Sequence, residues 1–466
     1  QVRRQAAARV TFDRKDGQGL GRQGYLMGVR TGKTGRGQAH WPSKGGIIGA
    51  IDIGSTKIAC LILKPIEQRG GDVTRFRVLG HGQQASRGVR AGNVIDIAAA
   101  EAGIRAAVEQ AEEMAGVVLK DVHVALSCGM PRSQVIGVEV PATGGEVSPA
   151  DLSRAIAIGR ARFPSSDREV LHCMPSSYSV DGARGIRNPV GMLGDMLGVS
   201  LHALSVAAGP LRNIEACVGR SHLGIAGKAV SAYAAGLATL VADEIDLGAT
   251  VVDMGGGTTS IAVFMDGGLV HAEVLPIGGN HVTSDIARGL STSLSQAERL
   301  KTLFGSALSG PNDARDLIAV QQIGEDDGDG ENSVPRSILT GIIQPRIEET
   351  LELVRDRLAE AGLSSIAARR VVLTGGASQL NGAREIAARI ISKQVRLGKP
   401  ACLADAPEPV MGPAFSACAG LASWAVQRPK ELSATGADDI NSGISLVPSS
   451  AARGLVGIKR WFKENF

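Results

Sequence analysis

Two aspartates in this chain stand at the ends of apolar runs, and each is followed by a turn of small residues. Asp253 closes the run Ala249-Thr-Val-Val-Asp253; Gly255, Gly256, Gly257, Thr258 and Thr259 follow, then Ser260-Ile-Ala-Val-Phe264. Glycines carry no Cβ, so the backbone here turns sharply and brings its N–H groups against anionic oxygens. The two threonine hydroxyls add donors, and the carboxylate of Asp253 is placed to hold a hydrated Mg²⁺ beside phosphates. Taken alone, the stretch reads equally well as an ordinary glycine-rich hairpin turn. A second copy weighs against that reading: Ile47-Ile-Gly-Ala-Ile-Asp52 runs into Gly54, Ser55, Thr56 and Lys57 and then Ile58-Ala-Cys-Leu-Ile-Leu63. Two such hairpins facing each other clamp one nucleotide between two lobes. A third segment, Arg370-Val-Val-Leu-Thr374 ending in Gly375, Gly376 and Ala377, is a strand leading into a helix over 383–391.

The elements that position these residues repeat as well. After each hairpin comes a third strand (75–81 and 269–277) and then a helix (96–115 and 281–290), so the chain contains a diverged duplication. From 129 to about 203 the composition changes to short strands (134–140, 169–174 and 200–204) and one helix, which Ser148 caps with Pro149 at its first position. Helices are expected over 210–219 and 236–244, and a strongly periodic one over 343–361. The acidic loop 325–331 lacks the spacing of a calcium loop and reads as solvated. Residues 28–34 mimic a phosphate loop, but with one residue too few between the glycines and no preceding strand.

Length and composition fit two or more aliphatic α/β cores, with 466 residues, 44% hydrophobic and only 3% aromatic. Residues 1–46 hold ten Lys/Arg against two Asp and no periodic apolar pattern, so they are expected to form a disordered basic arm. That excess is larger than the net charge of +4, which leaves the remainder mildly acidic and gives no reason to expect nucleic acid as a partner. The six cysteines are scattered in apolar runs, without Cys-x-x-Cys or histidine at metal-ligand spacing, and read as small buried residues of a reducing compartment. The adjacent His172-Cys173 reads as a core pair rather than a half site for zinc. No apolar run is long enough to span a membrane, and no signal peptide is evident.

The three glycine motifs, in this order and at these intervals, resemble those of the actin-like ATPase superfamily. Within it, the insertion, the loop Gly185-Ile-Arg-Asn-Pro-Val-Gly191 and the run Gly278-Gly-Asn-His-Val-Thr-Ser-Asp-Ile-Ala287 resemble the FtsA family of bacterial cell-division proteins over about 47–430 and again at the extreme C-terminus. The resemblance implies an α/β, actin-like two-lobed fold of duplicated ribonuclease-H-like sheets with an inserted α+β subdomain. It implies subdomain 1A over 47–128 and 205–247, 1C over 129–204, 2A over 248–285 and 366–430, and 2B over 286–365, then a flexible linker over 431–453. ATP and Mg²⁺ are the implied ligands. Asp52, Gly54, Ser55, Thr56 and Lys57 would hold them from one side, and Asp253, Gly255, Gly256, Gly257, Thr258 and Thr259 from the other, with Asp52 and Asp253 binding the metal through water. Gly279 and Asn280 would approach the phosphates or ribose, Glu298 and Lys301 the ribose hydroxyls, and Gly375, Gly376 and Ala377 the adenine. No residue that orients an attacking water is legible, so ATPase activity is at most slow and ATP acts mainly as a conformational ligand.

The family also implies self-association into filaments at the inner face of the cytoplasmic membrane at midcell, tethering of FtsZ filaments, and binding of later divisome proteins through subdomain 1C. The C-terminal peptide of FtsZ would dock on subdomain 2B near Arg336, Arg346 and Glu349; a plain solvated helix face reads equally well there. At the C-terminus, Leu455, Ile458, Phe462 and Phe466 recur at helical spacing beside Trp461, with Lys459 and Arg460 on the polar side. That pattern predicts a helix over 454–466 lying in an anionic inner-membrane surface. The alternative is a sugar- or acetate-kinase-like phosphotransferase of the same superfamily, which needs a general base in the cleft that no further motif supplies. A chaperone of the superfamily needs a large substrate domain after the nucleotide lobes, and only a linker and a short helix follow.

Overall fold

The computed structural model describes residues 46–67, 73–163, 167–323, 332–367, 369–392 and 394–434. The basic arm, the phosphate-loop mimic, the acidic loop, most of the linker and the membrane helix, with Leu455, Ile458, Lys459, Arg460, Trp461, Phe462 and Phe466, therefore lie outside the described residues.

The duplication is visible as two sheets with one plan. The first runs in spatial order Val73–Ala85, Lys57–Glu67, Ile48–Ile53, Asp121–Leu126 and Gly224–Val230; the second runs Gly268–Leu275, Thr259–Met265, Ala249–Met254, Val371–Thr374 and Val395–Leu397. In chain order both are 3-2-1-4-5, with the first three strands antiparallel and the last two parallel to the first. Registers match too: Asp52 pairs with Ala59 and Asp253 with Ser260, at the same place in each hairpin. This is the expected two-lobed α/β architecture of duplicated ribonuclease-H-like sheets. The central strands of both sheets are buried almost throughout.

Between the fourth and fifth strands of the first sheet, the insertion forms its own antiparallel sheet, in the order Arg132–Pro141, Met196–Ala207, Arg168–Val180 and Ala183–Ile186. The helix Pro149–Ala161 packs against it, with a capping box in which Ser148 and Asp151 satisfy each other's backbone N–H groups. Its strands are longer than hydrophobic alternation predicts, because sheet pairing continues past the apolar residues that reveal it.

Three expectations are corrected. The single helix over 236–244 is two, Ser231–Thr239 and Ala242–Leu247, since Leu240 and Val241 are extended and Glu244 reaches back to the Val241 N–H. The periodic helix begins at Arg336 rather than 343 and runs to Glu360 through Pro345. Residues after about 402 do not pack on the second sheet alone. Leu403–Ala404 pairs with the third strand of the first sheet, and Ser416–Ala434, which extends into the first residues of the expected linker, buries Cys418, Leu421 and Trp424 in one core with Ile48, Ala50 and Leu61. That core also holds Ser231–Thr239 and reaches Val251, Phe264 and Val372 of the second sheet, so these two helices join the lobes. All six cysteines are free and buried, and burial pushes the Cys60 thiol up to about 12.

Candidate functional site

Each glycine turn is closed by the same hydrogen bond. The Gly54 N–H donates to the Lys57 carbonyl at 3.0 Å and the Gly255 N–H to the Thr258 carbonyl at 2.8 Å. A Cβ at either glycine would stand 2.8 or 3.0 Å from that same carbonyl oxygen, which is why the position after Asp-x is glycine in both copies. At their tips the turns differ, and they meet. A Cβ at Gly256 would lie 1.8 Å from Thr56 Oγ1, and one at Gly257 would lie 2.4 Å from Ser55 Oγ. Thr56 Oγ1 donates to Asn280 Oδ1 at 3.1 Å, and Ser55 Oγ accepts from the Gly92 N–H at 3.0 Å. The helix Gly279–Gly289 starts on the second turn, with Gly279 N–H donating to the Gly255 carbonyl and Asn280 N–H to that of Gly256.

These turns border a cavity of about 760 Å³ whose lining includes Asp52, Gly54, Ser55, Thr56, Lys57, Asp253, Gly255, Gly256, Gly257, Thr258, Gly279, Asn280, Glu298, Lys301, Gly375, Gly376 and Ala377. Thr259 does not line it: its side chain is fully buried and its hydroxyl donates to the Ile277 carbonyl at 2.8 Å. As the first strand residue after the turn it alternates away from Thr258, so of these two threonines only Thr258 borders the space. Sequence reasoning also missed wall residues such as Gln83, Gln84, Ser127, Ser231, Thr302 and Asn381, which belong to no motif.

The electrostatics centre on two carboxylates and one ammonium. Burial pushes Asp52 up to about 6, against the pull of Lys57. Asp253 is pushed up to about 7, by burial first and by the charge of Asp52 second. Burial lowers Lys57, with Asp52 and Asp253 opposing that shift; its Nζ donates to the Ala414 carbonyl at 2.7 Å and sits 3.7 Å from the centre of the Phe415 ring. Two desolvated carboxylates with one partly committed cation form a site short of positive charge, which a divalent cation fits. Farther along the wall, Lys301 Nζ donates to Glu298 Oε2 at 2.6 Å, to Thr283 Oγ1 at 2.9 Å and to the Gly279 carbonyl at 3.2 Å. One helical turn separates Glu298 from Lys301, and Thr283, absent from the sequence reading, ties the pair to the helix on the second turn.

Gly375 and Gly376 have different reasons to be glycine. Gly375 has φ +83°, and a Cβ there would stand 2.3 Å from Asp253 Oδ1 and 2.5 Å from the Met254 carbonyl. A Cβ at Gly376 would touch only Ala414, at 3.8 Å. The expected partner residues separate in a similar way. Arg336 lines the large cavity and donates from Nε to the Phe304 carbonyl at 3.1 Å. Arg346 pairs with Asp285 at 2.5 Å and with Glu349, and lines a smaller cavity of about 240 Å³ with Arg90 and Arg288; Gly257 and Asn280 border both cavities. Arg336 and Arg346 thus do not share one outward face.

Comparison with known proteins gives a consistent result. The family model described as Cell division protein FtsA matches residues 250–420, and that of the SHS2 domain inserted in FTSA matches residues 129–205, the inserted sheet. The chain is 44% identical to the cell division protein FtsA of Rhizobium meliloti (strain 1021) over 425 residues, 90% of this chain and 95% of the relative. It is 30% identical to that of Escherichia coli (strain K12) over 428 residues, 90% of this chain and 98% of the relative. Among solved structures, one of a PilM-PilN type IV pilus biogenesis complex superposes with a TM-score of 0.57 at 17% identity, covering 81% of this chain and 98% of that one. The MreB5 of Spiroplasma citri bound to ADP gives 0.50 at 13% identity, covering 86% and 99%. At such identities these structures speak for the fold alone.

Proposed function

Because the chain belongs to the FtsA family of cell division proteins, we propose that it is an actin-like ATP-binding protein that polymerises on the cytoplasmic face of the inner membrane, anchors FtsZ filaments there at midcell and recruits later divisome proteins. The observation that carries the nucleotide part is the pair of matched glycine turns, each with its aspartate, facing each other across one cavity of about 760 Å³. That volume suits a nucleotide. The triphosphate lies against the turns of Gly54–Lys57 and Gly255–Thr258, the ribose against Glu298 and Lys301, and the base toward Gly376 and Ala377. MreB5 of Spiroplasma citri, of the same fold, has been solved bound to ADP and to AMPPNP, which supports an adenine nucleotide.

Asp52 and Asp253 would hold Mg²⁺ through its waters, and the bound ion would neutralise the charge of the triphosphate. Among the described residues, the carboxylates lining the cavity are Asp52, Asp253 and Glu298, and each already has a role in this reading. Among the described residues, no further carboxylate lines the cavity as the general base that a sugar kinase needs. ATP then acts chiefly by favouring the closed cleft, with slow hydrolysis at most.

The FtsZ C-terminal peptide docks beside the helix Arg336–Glu360 at Arg346 and Glu349; Arg336 leaves this set because it lines the nucleotide cavity. Among the described residues no helix is long and apolar enough to cross a membrane, and attachment is assigned to the amphipathic segment 454–466. One such segment binds weakly, and many copies along a filament bind firmly. The test is co-sedimentation and electron microscopy of the purified full chain with Mg·ATP and anionic liposomes. Filaments on the lipid, and release of a chain lacking residues 454–466 with ATP affinity unchanged, are the expected results. A wild-type chain that binds ATP but neither forms filaments nor pellets with lipid returns the phosphotransferase reading.

A further inference from the structure

The insertion leaves the chain between two strands of the first sheet, yet one of its side chains is bonded to the second. Ser133, the second residue of the insertion's edge strand Arg132–Pro141, accepts from the Ala272 N–H at 2.9 Å and donates to the Ala272 carbonyl at 3.1 Å. Ala272 is in Gly268–Leu275, the edge strand of the second sheet. One hydroxyl thus satisfies both outward-facing backbone groups of an edge residue, and it is buried in doing so. The insertion is also fixed to the first lobe. Lys228 of the strand Gly224–Val230 bonds Glu169 at 2.5 Å, and His172 Nε2 accepts from the Val230 N–H at 3.2 Å. The ring of His172 meets those of Tyr233 and Trp424, on the two helices that join the lobes, edge-on at 5.0 and 5.7 Å.

The insertion therefore touches both lobes, and Ser133 hydrogen-bonds it to the second. Both ends of that tie lead quickly to the nucleotide cavity. Ser127, in the cavity wall and bonded to Ser231 Oγ at 2.8 Å, is six residues before Ser133. On the other side Ala272 pairs with Ala262, which pairs with Val251, two residues before Asp253. The tie exists together with the contact between the two turns, in which Thr56 bonds Asn280. The junction is also not a fully satisfied core. His271, next to Ala272, and His202, on the strand paired with that of Ser133, are buried with neither ring nitrogen hydrogen-bonded among the described residues, and His271 Nε2 is 3.6 Å from Glu273 Oε2.

We propose that the Ser133–Ala272 contact is a latch through which the inserted subdomain reads the closure of the nucleotide cleft, made when the lobes close and released when they open. This rests on the nucleotide reading above. Coupling of this kind is reciprocal: nucleotide strengthens the latch, and loss of the latch weakens nucleotide binding.

The experiment is hydrogen exchange at the Ala272 amide in the full chain, with and without Mg·ATP, alongside ATP titration, for wild type, Ser133→Ala and Ser133→Thr. In wild type, Mg·ATP slows exchange at Ala272. In Ser133→Ala that amide exchanges fast with or without nucleotide, ATP affinity falls about 5- to 20-fold, and Ser133→Thr, which keeps the hydroxyl, restores both. If wild type binds ATP and exchange at Ala272 does not respond, or if Ser133→Ala binds ATP as wild type does, the latch is wrong and the nucleotide reading stands. If wild type binds no ATP, the nucleotide reading falls and the latch with it. A global loss of fold in Ser133→Ala shows as fast exchange across the second sheet; Ser133→Thr alone then decides, since the latch requires its Ala272 amide to respond to ATP.

Discussion

Replacing Gly256 with alanine tests whether the two glycine turns close on each other as well as on phosphate. The new Cβ would lie 1.8 Å from Thr56 Oγ1, 2.9 Å from Thr56 Cβ and 3.3 Å from Asn280 Oδ1. Ordinary contact begins near 3.4 Å, so the hydroxyl must retreat by about 1.6 Å. Rotation of Thr56 alone does not relieve the clash, because its Cβ is also too close. The turns must separate, and the Thr56–Asn280 hydrogen bond between the lobes is lost with them. Overpacking of this kind costs about 1–3 kcal/mol and the hydrogen bond about 1 kcal/mol. Charged to the closed state alone, about 2–4 kcal/mol lowers Mg·ATP affinity roughly 30- to 850-fold. Titration calorimetry measures this, and a melting curve without nucleotide shows whether the fold survives. Thr56→Gly in the same chain removes both clashing atoms, so the double variant should bind ATP more tightly than Gly256→Ala alone, with a coupling of about 1–2 kcal/mol in a double-mutant cycle. Unchanged ATP affinity in Gly256→Ala would refute the closed-turn geometry; a loss that Thr56→Gly does not repair would place the defect at the phosphates instead.

The remaining predictions concern the second aspartate and the metal. Gly375→Ala should destabilise the protein by about 1–3 kcal/mol and weaken Mg·ATP binding, because φ is +83° and the Cβ meets Asp253 Oδ1. Gly376→Ala should leave stability unchanged, and a fall in its ATP affinity alone would put the base over that residue, as thermal melts paired with titrations will show. Since Asp52 and Asp253 are raised to about 6 and 7, Mg·ATP binding at pH 6.5 should release protons, and affinity should rise with pH to about 7.5 and then level. Calorimetry in two buffers of different ionisation enthalpy checks this, and identical heats would sink it. Without nucleotide the sign reverses. The folded carboxylates keep protons that the unfolded chain sheds near 3.8, so their contribution to stability is complete below that pH and is lost as pH rises through 6 to 7.

The parts of this molecule legible in the sequence are those where local backbone chemistry and function coincide. Asp-x-Gly at the end of an apolar strand announces a turn because a side chain at the glycine would strike the carbonyl three residues on, and that reason is local. Ser148 with Asp151 three residues later announces a helix start for an equally local reason. What stayed hidden depends on distant partners. Nothing near Leu403 says that it pairs with Phe76, and nothing near Thr259 says that its hydroxyl is taken by Ile277. Arg336 looks like a surface cation beside Pro335, yet the carbonyl of Phe304 holds it at the cavity wall. The break at Leu240–Val241 is not legible because Gly236-Leu-Ala-Thr-Leu-Val-Ala-Asp-Glu244 is apolar enough for one helix, and the partners that hold Glu244 there, Arg370 and Arg396, lie far away in the sequence.

The difference between the two turns follows from their being copies. In the duplicated frame Ser55 and Thr56 correspond to Gly256 and Gly257, with the flanking aspartates, glycines and strand registers equal. Two identical turns meeting face to face would set side chain against side chain, and the 1.8 and 2.4 Å gaps leave no room for that. One copy must present hydroxyls and the other bare backbone. The first turn then contributes Ser55 and Thr56, and its Lys57 is anchored at Ala414 and Phe415. The second contributes backbone without side chains and passes the carbonyls of Gly255 and Gly256 to the helix that begins at Gly279. If the two turns hold the phosphates as proposed, each half lacks groups that the other supplies, and an isolated lobe should bind Mg·ATP far more weakly than the joined chain, as titration calorimetry would measure.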